Sequence, residues 1–421
     1  MRSVSGRHIP FIIGCLLWLV AAGQSIAANP DLATLSLRDA INLTLERNPS
    51  LAAAAQEIAA REGAVMQAGV LPNPALGFVA EDVGLTEYST SLQLSQLVEL
   101  GGKRRARVEA AVAGRELAEL ELAVRRNEVL AEATKAYVEA LGAQQRKVLA
   151  QQNLHLAERF AATVARRVDA GKVSPLEATK ATIDVATAQI EREQAEREFA
   201  AGRKRLASFW GEADLPSTQL VGVLEAGPVT LPPLEDLRTR LRNTPAWQLQ
   251  EKAVAEGRAK VNVERSKRTP DVTVSAGVKR FPDIDEDALL FEASVPLPLF
   301  DRNQGNLREA EAKLTKSGSE QQAAQIALLT ELDQTYESLL AAEREVALLR
   351  TEVLPAAEDA FAAAGKGYEL GKFGFLDVLD AQRTLFQNRA LLLRALINHQ
   401  RVTTDLERLL AGPVSAAESK R

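Results

Sequence analysis

The chain has 421 residues, 46% of them hydrophobic and 25% charged, with a formal net charge of -5. That length is ample for a buried core, and the mild acidity argues against a general nucleic-acid binder. Aromatic residues are scarce at 5%, and the long segments are rich in alanine, which suits long helices packed closely through small side chains.

Arg2, Arg7 and His8 form a basic start, Ile9 to Val20 an apolar stretch, and Ser25-Ile26-Ala27 a small-residue cleavage site. Residues 1–27 therefore read as a signal peptide. Ile12-Ile13-Gly14-Cys15 loosely resembles a lipoprotein signal, although cleavage there would leave only about five apolar residues; lipidation of Cys15 stays open. Cys15 is the single cysteine, so the exported chain has no disulfide, thiol nucleophile or thiolate metal site. No later segment offers the roughly 20 apolar residues of a membrane helix. An exported chain of this kind is either soluble or embedded as a β-barrel.

The first repeat is expected over 28–210. Ser36 caps a short helix running to Asn48, and a second helix covers about Ser50 to Gly69 before Pro72 and Pro74 forbid continuation. Strands are expected at 75–83 and 88–98, joined by a hairpin loop with Asp82, Gly84 and Thr86. In the second strand Thr90, Leu92, Leu94, Gln96 and Val98 share one face, and Ser89, Ser91, Gln93 and Ser95 the other. A proline-free helical pattern then spans 103–170, about 100 Å at 1.5 Å per residue. One seam holds Leu120, Val124, Leu130, Val138, Leu141 and Val148, and another Ala133, Ala136, Ala140, Ala143 and Ala150. Two seams imply neighbours on both sides, as in a ring of helices. After a turn at Gly171 a return helix covers 175–210.

Residues 211–234 hold Pro216, Pro228, Pro232 and Pro233 and read as a linker or equatorial segment. The second repeat, 235–411, replays the first: strands at 271–280 and 288–297, a long helix at 303–367 and a return helix at 375–410. Leu289, Phe291, Ala293, Val295 and Leu297 share a strand face. Residues 412–421 are expected to be a disordered tail. The duplication is clearest at the turns, where Gly171-Lys172-Val173-Ser174-Pro175-Leu176-Glu177 recurs 200 positions later as Gly371-Lys372-Phe373-Gly374-Phe375-Leu376-Asp377.

Each half thus supplies a hairpin of roughly ten-residue strands, the length that crosses an outer membrane, and a hairpin of long helices. Four strands cannot close a barrel and open edges are not tolerated in lipid, so copies must pool their strands.

Two motifs carry a resemblance to a known family. Leu97-Val98-Glu99-Leu100-Gly101-Gly102-Lys103-Arg104, preceded by Leu71-Pro72-Asn73-Pro74, and Asp377-Val378-Leu379-Asp380-Ala381, nine residues after Tyr368, resemble the TolC-type outer-membrane factors. The first motif resembles their CzcC-like heavy-metal branch. The resemblance implies a mainly α protein with membrane β: a homotrimer with a 12-stranded barrel, four strands per protomer, continued by a long α-helical barrel. It also implies an outer-membrane lipid environment, a periplasmic adaptor (membrane fusion protein) and an inner-membrane RND pump as partners. The function implied is a passive exit duct, with divalent cobalt, zinc, cadmium or copper as cargo. Multidrug efflux or type I secretion by the same duct is the alternative within the class, and a periplasmic coiled-coil scaffold without a pore is the alternative outside it.

By resemblance, Asp377 and Asp380 ring a periplasmic aperture and the Tyr368 hydroxyl helps to tie it shut. Acidic residues in a first helical turn also complement the macrodipole without any gate, and a core aromatic is the plain reading of Tyr368. Phe373 stands where the best-known members carry an arginine latch, which points to apolar closure. Gly171, Lys172, Val173, Ser174 and Gly371, Lys372, Phe373, Gly374 form two helical tips suited to docking an adaptor, or simply end their helices. Lys103, Arg104, Arg105 and Arg107 oppose the dipole of the helix they begin and are expected as a basic collar at the membrane interface. His155 and His399 are isolated, and no pattern calls for catalysis, a cofactor or a resident metal.

Overall fold

The computed structural model describes residues 34–83, 88–215, 218–225 and 231–414. The expected signal peptide, Gly84, Thr86, Pro216, Pro228 and the tail from 415 lie outside the described residues.

Thr34–Ser36 is a short strand, β1. Ser36 then caps α1 (Leu37–Arg47), its hydroxyl accepting the Asp39 amide while the Asp39 carboxylate accepts the Ser36 amide. Asn48 caps α2 (Pro49–Ala68), which begins on proline, where the missing N–H is no loss. The hairpin β2 (Ala75–Glu81) and β3 (Ser89–Val98) leads into α3 (Lys103–Asp169), and α4 (Pro175–Ala207) returns. Next in the chain come β4 (Gln219–Val221), α5 (Leu234–Leu241) and α6 (Pro245–Ser266). The second hairpin, β5 (Val272–Phe281) and β6 (Glu286–Ser294), leads into α7 (Gln304–Leu348), α8 (Leu354–Glu369) and the returning α9 (Phe375–Leu410).

Several boundaries differ from expectation. The first strand stops at Glu81 rather than 83, because Asp82 takes a positive φ of 55° that ends extended pairing. The last strand starts two residues early and stops at Ser294, ahead of Pro296 and Pro298, which cannot donate to a ladder. The return helix expected to reach 210 tightens into a 3-10 turn over Ser208–Trp210. The long helix expected over 303–367 is broken by a π-turn at Leu349–Val353. Pro355 explains it: its ring crowds the carbonyl four residues back and it has no N–H to donate, so the ladder loosens one turn upstream. Val148, expected on a packing seam of α3, is 54% exposed, whereas Ala133, Ala136, Ala140 and Ala143 are buried.

The four long strands form one antiparallel sheet in the order β2-β3-β5-β6. Its register aligns Leu76, Leu94, Ala276 and Phe291 in one row and Phe78, Leu92, Val278 and Leu289 in the next. These apolar side chains are exposed, Phe291 to 77%. The opposite face carries Ala75, Ser95, Ser275 and Glu292, then Gly77, Gln93, Gly277 and Leu290. On β3 and β5 its residues other than Leu97 are half-buried or buried. The sheet therefore curls with its apolar face convex and its polar face concave.

The helices keep the same lateral order. Nearer the sheet α2 packs on α3, α3 on α6 and α6 on α7; further away α4 packs on α3, α3 on α9 and α9 on α8. One margin of the protomer is thus β2, α2 and α4, and the other is β6, α7 and α8. The main core lies at mid-length, where Leu35, Tyr137, Leu206, Trp210 and Leu396 are buried together. The stretch read as a linker is part of this core: β4 pairs in parallel with β1, and Leu215, Leu220 and Leu224 are buried. The Tyr137 hydroxyl lies 2.9 Å from the Leu35 carbonyl and 2.6 Å from that of Val221, fastening both short strands to α3. Residues 413 and 414, expected in a disordered tail, are packed: Val414 is buried beside Leu237 and Leu406, and Arg240 donates to the Pro413 carbonyl at 2.7 Å.

Candidate functional site

The two helical turns share one backbone design. Gly171 and Gly371 take φ of 66° and 73°, a left-handed conformation that L side chains rarely adopt. The Lys172 amide then reaches back to the Arg167 carbonyl and the Lys372 amide to that of Gly367, both at 2.8 Å, closing each helix end. The starts of the two return helices differ. Ser174 caps α4 through its hydroxyl. Gly374 has no side chain to offer, and the Asp377 carboxylate instead accepts the Gly374 amide at 2.8 Å. Asp377 thus holds the first turn of α9, the dipole-complementing role, and it and Asp380 are both exposed. Phe373 is 49% exposed, and its ring lies against Gly367, where an added Cβ would sit 2.0 Å from it. Val173 is half-buried, while Lys172, Ser174 and Lys372 are exposed.

Between the turns an apolar cluster joins the two helical hairpins: Val164, Ala181, Tyr368, Phe375, Val378 and Leu379 are buried together. Phe160 meets Phe361 edge-on at 6.2 Å. Tyr368 is 3% exposed, and its hydroxyl has no hydrogen-bond partner among the described residues. Its ring and main chain are held instead: the Arg167 guanidinium lies 4.2 Å from the ring centroid and donates to the Tyr368 carbonyl at 3.0 Å. Burial pushes the phenol above its ordinary pKa, against the pull of the Arg167 charge.

Further up, two polar contacts tie α9 to the first hairpin. Gln382, 3% exposed, donates to Asn153 at 3.0 Å, and Arg383 reaches Asp184 at 3.5 Å. Burial raises the Asp184 pKa and Arg383 opposes the rise. Sequence reasoning missed Arg167, Gln382 and Arg383. Each meets a partner about 200 or more positions away, and neither period nor motif marks that contact.

The basic run expected as a collar sits at the junction between β3 and α3. Lys103 pairs with Asp271 at 2.7 Å, both largely buried, and Asp271 also accepts the Leu100 amide. Arg107 pairs with Glu99, and Arg104 donates to the Gly69 carbonyl at 2.7 Å. These three residues clamp the strand-to-helix junction, and the two carboxylates offset the dipole mismatch. Arg104 remains exposed despite this bond, and Arg105 points outward, 86% exposed beside Glu109.

Among the described residues no group of three or more His, Cys, Asp or Glu side chains is placed to hold a metal ion, and no helix is long and apolar enough to cross a membrane. The membrane-length apolar surface is that of the sheet.

The chain matches the family described as Outer membrane efflux protein over residues 40–212 and 237–412. It is 39% identical over 376 residues to the cobalt-zinc-cadmium resistance protein CzcC of Cupriavidus metallidurans, spanning 89% of this chain and 90% of that protein. It is 28% identical to the nickel-cobalt-cadmium resistance protein NccC of Alcaligenes xylosoxydans xylosoxydans, over 71% of this chain and 68% of that protein. Among solved structures, CusC superposes with a TM-score of 0.78 at 19% identity over 92% of this chain and 96% of that one. The Vibrio cholerae outer membrane protein VceC superposes at 0.76 with 21% identity over 90% and 97%. Fold and sequence agree, and the chain belongs to the outer membrane efflux protein family.

Proposed function

We propose that this outer-membrane channel is a homotrimer that serves as the passive exit duct for divalent heavy-metal cations, working with a periplasmic adaptor and an inner-membrane RND pump. The observation that carries the duct is the open four-stranded sheet, apolar on its convex face and polar on its concave face. Its unpaired margins, β2 and β6, close only against other copies, and closure makes a lipid-facing wall around a hydrated lumen. Three copies supply twelve strands. The cargo rests on the relatives, whose names describe resistance to cobalt, zinc, nickel and cadmium. Passage suits weak, exposed carboxylates such as Asp377 and Asp380 better than a tight chelating site. The two turns, at the far end of the helices from the sheet, are the surfaces for the adaptor. Deleting the gene while its pump and adaptor remain expressed is expected to lower tolerance of cobalt, zinc or cadmium and leave dye tolerance unchanged. Loss of dye tolerance alone would move the cargo to organic compounds.

A further inference from the structure

The strand register singles out one charge. The four long strands carry six charged side chains: Glu81, Lys279, Arg280, Glu286, Asp287 and Glu292. Lys279 pairs with Glu81 at 2.5 Å on the concave face, and Arg280 pairs with Asp287 at 3.3 Å on the convex one. Glu286 lies at the hairpin turn, opposite Phe281 and beyond the apolar rows. Glu292 is different. It sits between Phe291 and Ala293, opposite Ser275, in a row completed by Ser95 and Ala75, with no cation in it. It is exposed and has no ion-pair partner among the described residues.

Its depth dictates what surrounds it. The neighbouring Phe291 belongs to the apolar row with Leu76 and Leu94, so Glu292 lies at the level of the lipid-facing belt but on the opposite, lumen-facing side of the sheet, where a carboxylate meets water rather than lipid. β6 is also a marginal strand, which places Glu292 at the seam with the next copy. We infer that Glu292 forms a ring of carboxylates inside the barrel, one per protomer, that makes the outer end of the duct selective for cations over anions. A ring of like charges in a narrow lumen concentrates counter-ions and excludes co-ions. The ring is separate from Asp377 and Asp380, which lie in the opening turns of α9, at the end of the helices far from the sheet. The inference rests on the channel reading.

A reporter thiol tests it without requiring the periplasmic end to open. A Cys15→Ser background has no other cysteine. In it, Ser275→Cys places a thiol directly across from Glu292. The trimer in lipid vesicles is treated with membrane-impermeant methanethiosulfonates, one cationic and one anionic, with rates corrected for their reactivity with free thiol. The cationic reagent is expected to react roughly tenfold faster than the anionic one. Glu292→Gln should bring the two rates together, and Glu292→Asp should keep the preference. Phe291→Cys, on the lipid face, should react with neither. An unchanged preference in Glu292→Gln overturns the ring while leaving the channel intact. Labelling of Phe291→Cys with Ser275→Cys protected would reverse the faces and overturn the channel reading as well.

Discussion

Arg167 and Tyr368 stand 201 positions apart and tie the two helical tips together. Sequence motifs pointed to the tyrosine, since the spacing Tyr368 to Asp377 is local. They did not point to the arginine, whose role exists only because both hairpins end at the same height. His399 shows the converse case of a polar residue with no visible function. It is 1% exposed, and neither ring nitrogen has a partner among the described residues. Burial holds its pKa below the ordinary 6.5. The unfolded chain therefore takes up a proton that the folded one refuses, so this residue subtracts stability increasingly as pH falls below 6.5. His399→Leu is expected to raise the thermal midpoint of the purified protein, equivalent to about 1 kcal/mol from removing unsatisfied polar atoms. The gain should be larger at pH 5.5 than at pH 8, and equal gains at both would show that the imidazole titrates freely in the folded state.

At the scale of elements, the two halves share a design and differ in stiffness. α3 runs unbroken for 67 residues, whereas its counterpart is divided into α7 and α8 by the π-turn. The sequence is helical in character on both sides of this break, and the signal that locates it is Pro355. The first half carries no proline in its long helix. Pro355 is exposed, so replacing it removes few contacts. Pro355→Ala should allow the ladder to close and slow hydrogen exchange of amides 349–356 by about tenfold or more, since proline disfavours a helix interior by roughly 3 kcal/mol. Unaltered exchange would assign the π-turn to packing against α9 instead. The opposite lesson comes from β1 and β4, two three-residue strands in regions without alternation. Pairing across the chain made them strands, with Leu35 and Leu220 supplying the buried contacts.

For the whole molecule, the decisive fact is that strands and helices keep one lateral order, which leaves two open margins per protomer. Family membership and the sheet place the barrel in the outer membrane and the helices in the periplasm. Any aperture made by Asp377 and Asp380 belongs to the assembled channel, because threefold repetition is what gathers the charge. Replacing both by alanine is expected to raise single-channel conductance in planar bilayers or to reduce cation preference at low salt, where screening is weak. Currents indistinguishable from the parent would confine Asp377 to capping α9. Length, alanine content, strand alternation and the repeated turns determined by themselves the tandem halves, the membrane-length strands and the two tips. All of these are local, set by period, glycine conformation and turn chemistry within a few residues. Only the tertiary structure decided which face of the sheet is concave, that Lys103, Arg104 and Arg107 clamp a junction, that Arg167 holds Tyr368, and that Glu292 is left without a counter-charge. Each depends on partners from distant parts of the chain, and no local period records such a meeting.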